Sequence, residues 1–301
     1  MRVARPGPVL VLGVVDCGKT TLVRQMANAL AAKALVWVVS ADTGQAWIGP
    51  PTTLARAHLV RPRRRWTGLA AERMIFVGAT SPAPCLHATA AALVRLAREG
   101  VPGAARVIVD TPGLVTGPLA EDLWGHVAAE LHAPLVVAVE KTPTDLPLGD
   151  DQSGRAAGLL TRRAKWEGRE LAPILGLFAA AGAQIVTVRP HPLARVRNQA
   201  TRAAYRAAAY LRYFCRAGPR FLSRDLPVRC ELSGRPAALD VGRLVALRDA
   251  YGRDLALGIV RGIGARRVTV LTPLAGTAAV ASLASGLLWL DPATGAETSD
   301  L

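Results

Sequence analysis

The chain has 301 residues, 51% of them hydrophobic, and a formal net charge of +15. That leaves room for one large domain, or one plus a small one, and it excludes a disordered or low-core chain. The charge is carried almost wholly by arginine, since the only lysines are Lys19, Lys33, Lys141 and Lys165. Two readings of it stay open: a basic surface for a polyanionic partner such as nucleic acid, or a composition enriched everywhere in Arg, Ala and Gly. Cys17, Cys85, Cys215 and Cys230 form no C-x-x-C pair and no zinc spacing, which fits a reducing cytoplasm.

Pro8 to Leu12 is a short apolar run that reads as a buried strand, and Thr21 to Ala32 reads as a helix. Between them lies Gly13-Val14-Val15-Asp16-Cys17-Gly18-Lys19-Thr20, which matches G-x-x-x-x-G-K-[ST] at every fixed position. Strand, glycine loop and helix together make a phosphate cradle in which backbone N–H groups face the anion. Lys19 would reach the β- and γ-phosphates of a nucleoside triphosphate, and the Thr20 hydroxyl would hold Mg²⁺. Asp16, Cys17 and Thr21 complete the stretch that surrounds the phosphates. Next to a helix N-terminus, Cys17 is expected to gain some thiolate character, or to be a tolerated variable position.

Ala34 to Val39 reads as a second buried strand, ending in Ser40-Ala41-Asp42-Thr43-Gly44-Gln45. Polar residues at the carboxyl end of a parallel strand face the ligand crevice of an open α/β sheet. Asp42 there would bind metal or orient a nucleophile, or else cap the next segment. Gly49 to Thr53 reads as a turn into a short helix, followed by the basic loop Arg61-Pro62-Arg63-Arg64-Arg65-Trp66. That loop is either a nucleic-acid contact with a stacking tryptophan or a solvated loop. Further strands are expected at Met74 to Val77, Arg106 to Val109, Leu135 to Val139 and Gln184 to Val188, with helices over Leu86 to Arg98, Leu119 to Leu131 and Glu170 to Ala181. Alternating strands and helices predict an α/β fold with a mostly parallel, doubly wound sheet.

Residues 141–169 are polar, with several Pro and Gly, and read as an insertion that is partly helical near Leu159 to Trp166. Arg195 to Ala217 reads as an amphipathic helix, with Arg202 and Arg206 one turn apart and an apolar stripe of Ala203, Ala207, Tyr210 and Phe214. Such an arginine pair would clamp phosphates, or would belong to an ordinary surface helix of an Arg-rich chain. From about Gly218, apolar pieces at Leu244 to Leu247, Leu255 to Val260, Val268 to Leu271 and Leu287 to Leu290 predict a small β-rich domain. The expected division is thus 1–217, carrying the P-loop, and 218–301. Two long uncharged stretches, Leu171 to Val188 and Val268 to Leu290, are broken by turn signals and read as helix–turn–strand pieces rather than membrane spans. No signal peptide is expected, because the first apolar run is the P-loop strand.

The pieces in order resemble the P-loop polynucleotide 5′-hydroxyl kinases, which include the kinase subunit of the eukaryotic RNA cleavage complex and the kinase of ribosomal RNA processing. They are GVVDCGKTTL at 13–22, DTGQ at 42–45, IGPPTT at 48–53, FVGATSP at 76–82, VIVDTPGLV at 107–115, ELAPIL at 170–175 and RNQATRAAYRAAAYLRYF at 197–214. The resemblance implies transfer of the γ-phosphate of ATP, with Mg²⁺, to the 5′-hydroxyl ends of RNA or DNA. It implies that Asp42 acts on the metal and the attacking hydroxyl, helped by Gln45. It makes Thr111 and Gly113 a clasp on triphosphate and acceptor, and Arg202 and Arg206 a lid over the phosphates. The sequence departs from many relatives at Leu114, where they carry a base-stacking Trp; Trp47 or Trp66 would have to compensate. It also carries Pro84 and Cys85 where relatives often have Gly-His, and it begins at the P-loop strand, without the amino-terminal domain of the eukaryotic members.

The main rival is a regulatory P-loop GTPase or ATPase, because Asp110-Thr111-Pro112-Gly113 also reads as a D-x-x-G switch. A GTPase needs N-K-x-D after the next strand, whereas Leu135 to Val139 continues as Glu140-Lys141-Thr142-Pro143-Thr144-Asp145. A non-catalytic ATP-binding subunit of a nucleic-acid processing complex is the other alternative. The oligomeric state is not legible in the sequence.

Overall fold

A computed structural model describes residues 7–103, 105–140, 170–190 and 194–298. The expected insertion 141–169, with its helix near Leu159, lies outside the described residues. The chain folds as two compact units that interleave along the sequence: 1–39, 58–65 and 97–196 in one, and 40–57, 66–96 and 197–301 in the other.

The first unit is built on the strands β1 (Pro8–Leu12), β2 (Val36–Ser40), β5 (Arg106–Asp110), β6 (Leu135–Val139) and β7 (Gln184–Val188), adjacent in the order β2-β5-β1-β6-β7. β1 runs parallel to both β5 and β6, and β6 parallel to β7. Leu10, Val11 and Leu12 are fully buried, as a central parallel strand covered on both faces requires. The helices follow the expected order: α1 (Lys19–Ala31), α3 (Pro118–Leu131) and α4 (Ala172–Ala180). α1 buries Val23, Ala27 and Ala31, a four-residue spacing that puts one stripe on the core. Trp124 of α3 and Phe178 of α4 pack with ring centroids 6.2 Å apart, and the Trp124 indole N–H donates to the Leu114 carbonyl at 2.7 Å.

The second unit holds most of β3 (Thr53–Leu59), β4 (Arg73–Phe76), most of α2 (Leu86–Arg98), α5 (Gln199–Phe214) and a second sheet. That sheet comprises β8 (Gly218–Ser223), β9 (Val228–Cys230), β10 (Arg243–Arg248), β11 (Asp254–Ile263), β12 (Arg267–Thr272), β13 (Ser282–Leu290) and β14 (Glu297–Thr298). Its main path runs β14-β13-β10-β11-β12-β8 through antiparallel pairs, with β9 added parallel to β13. Alternate residues face opposite sides. Leu244 and Ala246 join a core with Tyr210 and Phe214 of α5 and with Phe76, while Val245 and Leu247 join another with Val268, Val270 and Leu283.

Three local expectations are corrected. The segment after Gly49 is the strand β3, not a helix: Thr53 to Arg56 pair antiparallel with Phe76 to Arg73. Leu, Ala and Arg carry helix propensity, but the buried Arg56 is satisfied in extended chain, donating to the Leu96 carbonyl at 2.9 Å and to Glu72 at 3.2 Å. Tertiary pairing overrides local preference. The stretch Val268 to Leu290 is strand–loop–strand, β12 and β13, rather than helix–turn–strand. Ala203 faces solvent, and the buried face of α5 is Ala209, Tyr210 and Phe214. Among the described residues no helix is long and apolar enough to cross a membrane.

Two contacts set the loop after β4. The Phe76 N–H donates to Asp254 Oδ2 at 2.7 Å, and Leu287 N–H donates to the Gly78 carbonyl at 2.8 Å. A Cβ on Gly286 would lie 2.5 Å from Gly78 O, so the two backbones cross where no side chain fits.

Tyr213 accepts a hydrogen bond from Leu257 N–H at 2.8 Å, and burial pushes its hydroxyl up to about 12. Burial likewise raises Tyr210. A phenol whose folded pKa lies above its ordinary value near 10 favours folding below that value and loses the contribution as pH rises through the folded one. Melting temperature should therefore fall between about pH 10 and 12, and Tyr213→Phe should reduce the slope; an unchanged slope would exclude Tyr213 as a contributor.

Candidate nucleotide and phosphotransfer site

The site residues fall into two groups, one in each unit. In the first, β1 delivers the chain into the loop at Gly13, and Gly18 at φ 96° turns it into α1. Left-handed backbone at that position suits glycine. A Cβ on Gly13 would lie 2.9 Å from the Val139 carbonyl and 2.7 Å from Cys17 Sγ. Asp16 also adopts φ 63°, a region that Asp tolerates better than most residues. The Lys19 ammonium is buried inside this loop and donates to the carbonyls of Gly13 and Val14, both at 2.8 Å. Thr21 lies exposed on the first turn of α1.

Thr20 Oγ1 donates to Asp110 Oδ2 at 2.6 Å. Asp110 is the last residue of β5 and is buried. A hydroxyl on a P-loop and a carboxylate at the end of the neighbouring strand form the hard-oxygen pair that holds Mg²⁺ in P-loop NTPases. Sequence reasoning gave Asp110 no such role, considering it only within a switch motif. The signal was present: an apolar strand, RVIV, ending in Asp.

Thr111 and Gly113 pack on the same loop. Thr111 is buried, with its hydroxyl donating to the Val11 carbonyl at 2.7 Å. Gly113 approaches the P-loop so closely that an added Cβ would lie 2.3 Å from Val15 Cγ2 and 2.8 Å from Val15 N. Of the two readings of Cys17, the thiolate one is overturned. The residue is completely buried, and desolvation pushes its thiol up despite the nearby Lys19 charge, so thiolate character is not favoured.

In the second unit, Asp42 Oδ1 accepts from the N–H groups of Gly44 and Gln45 at 3.0 and 2.9 Å. This Asx turn fixes the carboxylate and leaves Oδ2 outside it. A Cβ on Gly44 would meet the Thr80 carbonyl at 2.6 Å, which binds the turn to the 76–82 loop. Gln45 Oε1 accepts from Arg197 at 2.5 Å, and the Tyr205 hydroxyl donates to the Ala46 carbonyl at 3.0 Å. The helix carrying the arginines is narrower than 195–217: Asn198 caps it, accepting from Thr201 N–H at 2.8 Å. Arg202 and Arg206 are both half-buried on it. Arg206 holds Glu297 through two bonds, Nε to Oε1 at 2.5 Å and Nη2 to Oε2 at 2.9 Å. Trp47 and Trp66, both partly exposed, meet edge to face with centroids 5.4 Å apart.

A triphosphate and a divalent cation fit the first group. Its loop closes where no side chain would fit, a helix N-terminus faces it, and it holds a buried ammonium to donate to phosphate and a hydroxyl and carboxylate whose oxygens suit a divalent cation. Strand, loop, helix and Thr20–Asp110 pair together define a P-loop nucleotide-binding domain. Residues 13–158 match the family model for the P-loop of the mRNA cleavage and polyadenylation factor CLP1. The likeness to this family therefore lies in the P-loop stretch, 146 of the chain's 301 residues.

Over 195 residues the chain is 31% identical to a polyribonucleotide 5′-hydroxyl-kinase from Thermococcus kodakarensis, covering 64% of this chain and 49% of that protein. It is 33% identical over 138 residues to a polyribonucleotide 5′-hydroxyl-kinase from Pyrococcus furiosus, covering 46% of this chain and 39% of that one. The chain thus spans half or less of the length of these curated relatives. Among solved structures, Clp1p in its complex with Pcf11p superposes with a TM-score of 0.65 at 14% identity, covering 96% of this chain and 76% of that one. That likeness confirms the fold: a Clp1-like P-loop domain with a mostly parallel sheet, and a separate antiparallel sheet.

Gly113→Val should push Val15 and distort the loop. Overpacking of this kind costs about 1–3 kcal/mol of folding stability, so the melting temperature should fall by a few degrees or more and binding of a fluorescent ATP analogue should weaken. Undiminished binding would mean that the clasp glycine does not support the loop.

Proposed function

We propose that the protein is an ATP- and Mg²⁺-dependent polynucleotide 5′-hydroxyl kinase that acts on RNA or DNA ends. The observation that carries this reading beyond a generic nucleotide site is the union of the second nucleotide motif with the arginine-bearing segment. Arg197 binds Gln45, and Tyr205 binds the carbonyl of Ala46. A switch GTPase has no use for that arrangement, whereas a kinase must bring an acceptor-orienting carboxylate and charge-neutralising arginines to one phosphoryl group. The names of the T. kodakarensis and P. furiosus relatives support the same activity.

In this mechanism the amides of Gly13, Asp16, Cys17, Gly18 and Thr21 and the Lys19 ammonium bind the phosphates, with Gly113 backing the loop. Thr20 and Asp110 would supply oxygen ligands for Mg²⁺, as the family resemblance implies for Asp42, and the metal would neutralise phosphate charge. The 5′-oxygen attacks the γ-phosphorus in line, the bond to the bridging oxygen breaks, and ADP leaves. Asp42 orients the hydroxyl and takes its proton, Gln45 steadies Asp42, and Thr111 aligns the acceptor end. Arg202 and Arg206 stabilise the charge that spreads over the transferring oxygens. Residues 1–217 carry these groups in this reading, with 218–301 supporting them.

Leu114 offers no aromatic face, so the edge-to-face pair of Trp47 and Trp66 is the surface offered to acceptor bases. Trp66 follows directly on the basic run Arg63-Arg64-Arg65. Trp47→Ala should raise KM for the oligonucleotide roughly ten-fold, since base stacking on an aromatic contributes about 1–3 kcal/mol, and leave KM for ATP unchanged. An unchanged oligonucleotide KM would remove the tryptophans from the acceptor site.

The test of the whole reading is transfer from γ-labelled ATP to matched RNA and DNA oligonucleotides with 5′-hydroxyl ends, with GTP hydrolysis measured alongside. Labelled ends that vanish with Lys19→Ala are expected. Acceptor-independent GTP turnover without end labelling would replace this reading with a GTPase. ATP binding with neither activity would indicate a non-catalytic subunit.

A further inference from the structure

The partner of Arg206 comes from the far end of the chain. Glu297 opens the short strand β14, which pairs with Leu290 of β13. Three independent features fix it there. Asp291 staples the preceding turn, its carboxylate accepting from Ala293 N–H at 2.8 Å and Thr294 Oγ1 at 2.9 Å. Gly295, at φ 68°, abuts α5 so closely that a Cβ would lie 2.4 Å from the Ala207 carbonyl. Leu290 is buried in the same core as Tyr210 and Phe214 of α5.

The two bonds from Arg206 use Nε and Nη2, one edge of the guanidinium. A guanidinium has five N–H donors in a rigid fork, so this grip leaves Nη1 for a second acceptor. Both side chains are mostly buried, at 17% and 25% exposed, where ion pairs are screened less than at the open surface. A long arginine side chain otherwise gives up rotamer freedom when it clamps a phosphate. Here that ordering is already met in folding.

We propose that Glu297 is the positioning residue of Arg206: it holds the Nε–Nη2 edge and presents Nη1 to the transferring phosphoryl group. The carboxy-terminal hairpin is then part of the phosphotransfer machinery. This inference rests on the kinase reading above, since it concerns how the lid arginine is aimed.

The experiment is a cycle of wild type, Glu297→Gln, Arg206→Ala and the double variant, with Arg206→Lys as a second probe of the fork. Kinetics of end labelling are measured with ATP and a 5′-hydroxyl oligonucleotide. The ¹⁵N signal of the Arg206 Nε–H is followed without nucleotide, and melting temperature monitors folding. Glu297→Gln should lower kcat about ten- to hundred-fold, the scale of a misplaced catalytic group, with KM for ATP within about two-fold. It should shift the Arg206 Nε–H signal and cost nothing further in the Arg206→Ala background. An unchanged or raised kcat, or losses that multiply in the double variant, would overturn the proposal while leaving the kinase reading intact. Absence of end labelling by wild type would overturn the kinase reading and this inference with it.

Discussion

The hydrogen bond from Thr20 to Asp110 is the contact on which the first unit's chemistry depends. It joins the first turn of α1 to the last residue of β5, two elements separated by ninety positions in the chain. It can form only because β1 and β5 are parallel neighbours in register, with Val11 opposite Asp110. The same register lets Thr111 donate to Val11. Backbone pairing, not side-chain packing alone, thus sets the geometry in which a hydroxyl and a carboxylate converge. The buried Lys19 completes the set, held by two carbonyls of its own loop.

The second unit solves a different problem. In the kinase reading it must hold a pair of arginines steady. α5 does this by packing Tyr210 and Phe214 into the core of the second sheet, with Arg206 and Arg202 half-buried one turn and two turns before Tyr210 on the same row. Its start is fixed by the Asn198 cap and by the Arg197–Gln45 and Tyr205–Ala46 bonds. Docking and capping act at opposite ends of one helix, so its arginine face has little freedom to rotate.

Much of this was legible in the sequence, and the reasons are local. β6, β7 and α2 stand at their expected bounds, because each is a periodic or uniformly apolar run closed by turn residues. The P-loop is a contiguous motif and needs no knowledge of distant residues. What escaped depended on pairing across the chain. β3 carries residues of helix propensity, and only its pairing with β4 makes it a strand. Asp110 gains its meaning from Thr20, and Glu297 from Arg206; neither partner announces itself by spacing. The burial of Cys17 was equally invisible, because it depends on how the loop folds over its own sulfur. β8 and the first half of β13 were missed because their apolar residues alternate with Arg, Ser and Gly.

The crossing of Gly78 and Gly286 bears on how this protein can be divided. The loop that follows β4 carries one of the stretches shared with the kinases, yet it is hydrogen-bonded to β13, more than two hundred residues onward. Phe76, Tyr210 and Phe214 bury their rings against residues that come after position 240. A fragment ending before β8 would keep the recognisable motifs and lose the surface against which two of them, 76–82 and 197–214, are seated. The portion that resembles an enzyme is therefore not a portable module: motif content and folding autonomy follow different boundaries along this chain.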